Sequence, residues 1–146
     1  MAIRKVVLYG DDILRKRSRE VDKFDERLHQ LLDDMAETMY QQNGAGLAAV
    51  QIGILKRVIT IDAGQGLIEL VNPVIVETSG MQNGPEGCLS IPEKFVDIKR
   101  PYKVKVRAFD RHGKPFTMEG TELLARAFCH EIDHLEGKLF IDLIEK

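Results

Sequence analysis

The stretch Thr121-Glu122-Leu123-Leu124-Ala125-Arg126-Ala127-Phe128-Cys129-His130-Glu131-Ile132-Asp133-His134-Leu135-Glu136-Gly137 decides how the chain reads. Thr121 is a ready N-cap and Gly137 a ready stop, so the spacing predicts a helix over about Glu122–Glu136. Leu124, Phe128, Ile132 and Leu135 recur at helical spacing and give one face a core stripe. His130 and His134 are four residues apart and share another face, where both imidazoles can reach one metal ion. Glu131, inside this HExxH motif, can hold a metal-activated water and move its proton. The plainer alternative is a solvated helix face with two ordinary histidines.

Outward from this helix, the chain alternates between clear and weak signals. Asp22–Gln42 reads as an amphipathic helix, with Leu28, Leu31, Leu32, Met35 and Met39 on one face. Asp22 or Asp25 can cap its start, and Asn43, Gly44 and Gly46 end it. Arg57–Ile61, Leu67–Val76, Lys94–Lys99 and Lys103–Asp110 read as strands. Arg111–Lys114 looks like a hairpin turn into Pro115–Glu119. Ile3–Leu8 is weakly strand-like, and Leu139–Ile144 reads as a last short strand. The pattern predicts one α+β domain over residues 1–146, with mainly antiparallel β-sheets packed around the HExxH helix and a second helix near the N-terminus.

Composition narrows the function classes. The chain has 146 residues, 44% hydrophobic and 30% charged, with a formal charge of −2. That argues against a strongly basic nucleic-acid binder. An aromatic content of 6% without tryptophan argues against a base-stacking surface. No apolar run is long enough for a membrane span. The N-terminus resembles neither a signal nor a transit peptide, so the expected compartment is the cytoplasm. In that compartment Cys88 and Cys129 are better read as thiols, ligands or core residues than as a disulfide.

Two histidines do not complete a catalytic metal site, which commonly uses three protein ligands and an open position. No histidine follows His134. Upstream, Glu86-Gly87-Cys88-Leu89-Ser90 places a thiol in a segment that reads as a Gly/Pro-marked loop, where a thiolate can approach a metal. The alternative for Cys88 is a small buried core residue. In Asn43–Gly53, Gln51 is the single polar side chain of an apolar stretch and needs a partner. Its amide N–H can stabilise an oxyanion; equally, the segment can be a packed Gly/Ala strand whose glutamine bonds to nearby backbone.

Gly44-Ala45-Gly46-Leu47-Ala48-Ala49-Val50-Gln51, Glu86–Ser90 and His130–His134 together, in this order, resemble the peptide deformylases. The resemblance runs from about Leu8 to Asp142 and includes Arg100-Pro101 and the ending Gly137–Asp142. It implies the peptide deformylase fold and removal of the N-formyl group from formyl-methionine on nascent polypeptides, releasing formate, by attack of a metal-bound water. Cys88, His130 and His134 would be the metal ligands, and Glu131 the general base and acid. Gln51 and the backbone N–H of Leu89 would form the oxyanion hole. The implied ion is Fe²⁺, with Zn²⁺, Ni²⁺ or Co²⁺ as substitutes, one per chain. The short ending resembles the compact bacterial form, which lacks the longer C-terminal helix that helps some members dock on ribosomes. At most a transient ribosome contact is expected, with no nucleic-acid specificity and no membrane partner.

Three positions depart from the commonest pattern of that family: Val50, Ala45 and Cys129. None removes a proposed catalytic group. Cys129 points about 100° away from His130 on the helix and reads as a core or supporting residue. Counting back from His130 along the helix gives Ala127, Arg126 and Leu123 as a side-chain pocket together with Ala45. Arg126 is expected to lay its stem on the wall with its head in water. Gly46 and Gly87 are expected to let the substrate backbone pair as an added strand. Glu86, costly to bury unpaired, is expected to pair with Arg100. The rival readings are a general zinc peptidase, disfavoured by the missing downstream histidine, and a closed four-ligand metal module, disfavoured by the presence of Glu131 and Gln51.

Overall fold

A computed structural model describes residues 2–144; residues 1, 145 and 146 of the expected domain lie outside the described residues. Two α-helices, α1 (Glu26–Gln41) and α2 (Glu122–Leu135), accompany seven strands. These are β1 (Gly46–Ala48), β2 (Val58–Ile61), β3 (Ile68–Ser79), β4 (Gln82–Cys88), β5 (Ile91–Arg100), β6 (Lys103–Phe109) and β7 (Pro115–Thr121). They form an antiparallel five-stranded sheet in the order β1-β2-β3-β6-β7 and a separate β4-β5 hairpin. The α+β architecture with antiparallel sheets is the one expected.

Alternation along the strands decides which helix covers which face. Ile59, Ile61 and Leu70 join Val104, Val106 and Ala108 in a core with Leu124, Phe128 and Leu135 of α2. Val58 and Val71 point the other way and pack with Leu28, Leu31, Leu32, Met35 and Met39 of α1. Strand β2 is therefore buried at every position, which accounts for its unbroken run of β-branched residues. A third cluster, Ile91, Ile98, Leu139 and Phe140, seats the β4–β5 hairpin on the C-terminal segment.

Three local expectations need correction. Glu86–Cys88, read as part of a loop, belongs to strand β4. Its glycine- and proline-rich sequence has poor strand propensity, and pairing with β5 imposes the conformation. Leu139–Ile144 forms no strand; Phe140–Leu143 is a 3₁₀ turn, with Asp142 accepting from the Leu139 N–H at 3.0 Å. Ile3–Leu8 is not a ladder strand either. Its neighbourhood bonds singly to several elements: the Arg4 N–H to Thr38 Oγ1 of α1, the Val7 N–H to Gln51 O and the Tyr9 N–H to Ser90 O.

Candidate metal centre and cleft

Helix α2 is buried on nearly all sides, and that burial brings its polar residues to one point. His130 and His134 lie one turn apart with their Nε2 atoms 3.3 Å from each other. Cys88, at the end of β4, places Sγ 3.4 Å from His134 Nε2. The three donor atoms all lie within 4.8 Å of one another. His130 Nδ1 is engaged by Glu86 Oε1 at 2.7 Å, so Nε2 is the nitrogen left facing the cluster. One sulfur and two imidazole nitrogens are a donor set that suits a borderline or soft transition-metal ion.

Glu131 is only 4% exposed, and its Oε1 has no partner among the described residues. Burial pushes its pKa up to about 7, against the lowering influence of His130. The backbone at Gly46 runs so close that a Cβ there would sit 2.5 Å from Glu131 Oε2, so a side chain at that position would displace the Glu131 carboxylate. Gln51 lies in the 3₁₀ turn Ala49–Ile52. Its Oε1 accepts from the Ala48 N–H at 2.9 Å, while Nε2 donates to Ser90 Oγ at 3.1 Å and faces Cys88 Sγ at 3.5 Å. The local backbone bond and the orientation toward the thiol therefore coexist, and the first fixes the second. Leu89 packs against Gly44, where a Cβ would come within 2.8 Å of its side chain.

Glu86 is the hub of a buried charge cluster. It accepts from Arg100 Nε and Nη2 at 3.1 and 2.6 Å, as expected for that pair. It also accepts from Arg126 Nη1 at 2.7 Å, and Arg100 reaches on to Asp133 at 2.8 Å. Burial alone would raise its pKa; the bonds from His130 and Arg100 outweigh that and hold it at about 2. Arg126 departs from expectation. Its head is not in water: the residue is 6% exposed, its Nη1 donates to Glu86 and to the Ile98 carbonyl, and its Nη2 is buried without a hydrogen-bond partner among the described residues. The available signal was its position one turn before His130, on the face that meets Glu86. Cys129 packs in the core with Phe128, and burial pushes its thiol up to about 11.

A cavity of about 500 Å³ opens beside the cluster. Ala45, Gly46, Gly87, Leu123, Arg126 and Ala127 all line it, together with Gln51, Cys88, Leu89, His130 and Glu131. His134 is fully buried. The sequence reading missed Glu93 and Phe95, which also line the cavity from β5.

The chain matches the family model for polypeptide deformylase over residues 3–146. It is 58% identical to a peptide deformylase of Alkaliphilus metalliredigens over 146 residues, covering 100% of this chain and 99% of the relative. It is 57% identical to that of Caldicellulosiruptor bescii over 144 residues, covering 99% and 87%. The fold is similar to the crystal structure of the Thermotoga maritima peptide deformylase, with a TM-score of 0.97 and 41% identity over the whole of both chains. It is also similar to the Legionella pneumophila peptide deformylase structure, with a TM-score of 0.95 and 46% identity over 99% of this chain and 87% of that one. With whole-length relatives on one side and an open cavity beside a sulfur–nitrogen donor cluster on the other, the chain belongs to the peptide deformylases, the metal-dependent hydrolases that remove the N-formyl group from nascent polypeptides.

Proposed function

We propose that residues 1–146 form one catalytic domain in which Cys88, His130 and His134 hold a single ferrous ion, with Zn²⁺, Ni²⁺ or Co²⁺ as substitutes. The convergence of their three donor atoms under the cavity carries this reading. A bound ion of this kind supplies Lewis acidity and a water made acidic near neutral pH. The formyl-methionine side chain enters the pocket of Ala45, Leu123, Arg126 and Ala127. The peptide backbone runs as an added strand along Gly46 and Gly87.

Glu131 takes a proton from the attacking water at its free Oε1. The C–N bond of the formamide breaks, Glu131 passes the proton to the departing amine, and formate leaves. The oxygen of the formyl group gains negative charge on the way. Gln51 Nε2, held by the Ala48 N–H bond to its Oε1, and the Leu89 backbone N–H donate to that oxygen. The place of work is the cytoplasm, with transient contact at the ribosome where nascent chains emerge. No helix among the described residues is long and apolar enough to cross a membrane.

The test is formate release from formyl-Met-Ala-Ser by anaerobically purified protein, with metal analysis, beside Glu131→Gln. Glu131→Gln is expected to lower turnover by about 10²- to 10⁴-fold with its metal content intact. Full activity in that variant would overturn the assigned role, and zinc rather than iron in the active preparation would overturn the choice of ion.

A further inference from the structure

The two groups assigned to the oxyanion come from parts of the fold that share no ladder. Gln51 sits in the turn that follows β1 of the five-stranded sheet, and Leu89 in the two-residue turn between β4 and β5. Their aim at one oxygen depends on how these two turns are tied together. One tie is the bond from Gln51 Nε2 to Ser90 Oγ. It is made by the same amide that has to serve the substrate.

The N-terminal segment makes a second tie. The Val7 N–H donates to the Gln51 carbonyl and the Tyr9 N–H to the Ser90 carbonyl, both at 2.7 Å. Gln51 and Ser90 are buried, where a carbonyl left without a donor is costly. The two donors are two residues apart, a length of chain that spans at most about 7 Å, so they act as a short ruler between the turns.

The same segment is anchored on α1. The Arg4 guanidinium meets Asp34 at 2.7 and 2.9 Å, and the Arg4 N–H donates to Thr38 Oγ1 at 2.8 Å. Asp34 and Thr38 are both buried. Val7 packs on the core cluster that contains Ala48 and Val50. Leu8 and Tyr9 are each 54% exposed, so the outer side of the segment lies open and its hold on the two turns is made by backbone bonds.

We propose that residues 4–9 are a positioning strap for the oxyanion hole, with Val7 and Tyr9 as positioning residues that act through Gln51 and Leu89. The inference rests on the catalytic reading above, in which Gln51 Nε2 and the Leu89 N–H meet the formyl oxygen. With the turns held at a fixed separation by the strap, the Gln51 amide keeps one N–H on Ser90 Oγ and the other free for the oxygen as its charge develops.

The experiment measures kcat and KM on formyl-Met-Ala-Ser, with metal analysis, for the metal-loaded protein, Val7→Pro, Arg4→Ala, Gln51→Ala and Val7→Pro combined with Gln51→Ala. Proline at position 7 removes the N–H that holds Gln51. Val7→Pro is expected to lower kcat about tenfold with KM within about twofold and metal content intact, less than the loss of a whole oxyanion donor because the amide is misaimed rather than absent. Arg4→Ala keeps every backbone N–H and frees only the anchor, so it carries the same comparison if proline is not accepted in the fold; about a threefold fall in kcat is expected. In the Gln51→Ala background Val7→Pro is expected to change kcat by no more than about twofold, since the donor it positions is gone. Unchanged kcat in both single variants would overturn the inference, as would a fall that tracks metal loss or one that persists in full in the Gln51→Ala background. All three outcomes leave the catalytic reading intact. Absence of formate release by the unaltered metal-loaded protein would overturn that reading and this inference with it.

Discussion

Helices α1 and α2 are of similar length, 16 and 14 residues, and cover opposite faces of the same strands, yet they bury different chemistry. Helix α1 buries leucines and methionines. Its one acidic residue buried as a whole, Asp34, is satisfied by the Ala2 N–H, Arg4 and Gln30, while half-buried Glu37 keeps one buried oxygen without a partner among the described residues. Helix α2 buries Arg126, His130, Glu131 and His134 beside Leu124 and Phe128. An apolar stripe needs only a matching surface. Buried charges need partners at fixed distances, and those of α2 come from Glu86 and Arg100 of the β4–β5 hairpin. The functional helix is therefore locked to a part of the chain with which it shares little sequence proximity.

Arg100→Ala strikes that lock directly. It removes two bonds to Glu86 and one to Asp133, leaving a buried carboxylate with Arg126 and His130 only. Breaking a buried pair from one side costs about 3–5 kcal/mol, and the two remaining partners favour the lower end. Urea unfolding should show the loss, and the variant should release its metal faster to a chelator, because Glu86 no longer holds the His130 ring as firmly. An unchanged midpoint and unchanged metal release would show that Arg126 and His130 secure Glu86 without Arg100.

Leu32→Ala makes the contrasting cut in α1. Leu32 is fully buried and does not line the cavity. A cavity of this kind costs about 2–5 kcal/mol. The expected outcome is a comparable or slightly smaller loss of stability, with turnover per folded molecule and metal content unchanged. A fall in turnover measured well below the unfolding transition would mean that α1 helps shape the cleft.

The same contrast explains what could be read before the structure was known. Both helices announce themselves through spacing and capping residues, β2 and β3 through β-branched runs, β6 through apolar–polar alternation and β7 through the turn that precedes it. Strand β4 does not, because Gln82–Cys88 acquires its conformation from its partner rather than from its composition. The donor pair His130 and His134 is written in five residues of one helix. The approach of Cys88 and the orientation of Gln51 depend on how β4 and the Ala49–Ile52 turn dock on that helix, so sequence supplied candidates and left their meeting open. Arg126 was misplaced for the same reason: its partner Glu86 lies 40 residues away, and a helix considered alone leaves its head free for water.

The smallest predicted difference lies at the two helix starts, both of which present an N-capping residue. Asp25 accepts from the Leu28 N–H at 3.2 Å, so the start of α1 is held by its own side chain. Thr121 occupies the same position before α2 but makes no capping bond. There the Glu122 N–H donates to Tyr102 O at 3.0 Å, and Gln82 Nε2 donates to the Glu122 carbonyl at 2.8 Å. The strands thus hold the start of α2, even with Glu122 at φ +54°. Asp25→Ala should cost about 1 kcal/mol, whereas Thr121→Ala should cost only a few tenths, because no side-chain cap is lost. Urea midpoints of the two variants measured side by side decide the matter. Equal losses would mean that α2 depends on a local cap after all, and that its charged face is not held by tertiary contacts alone.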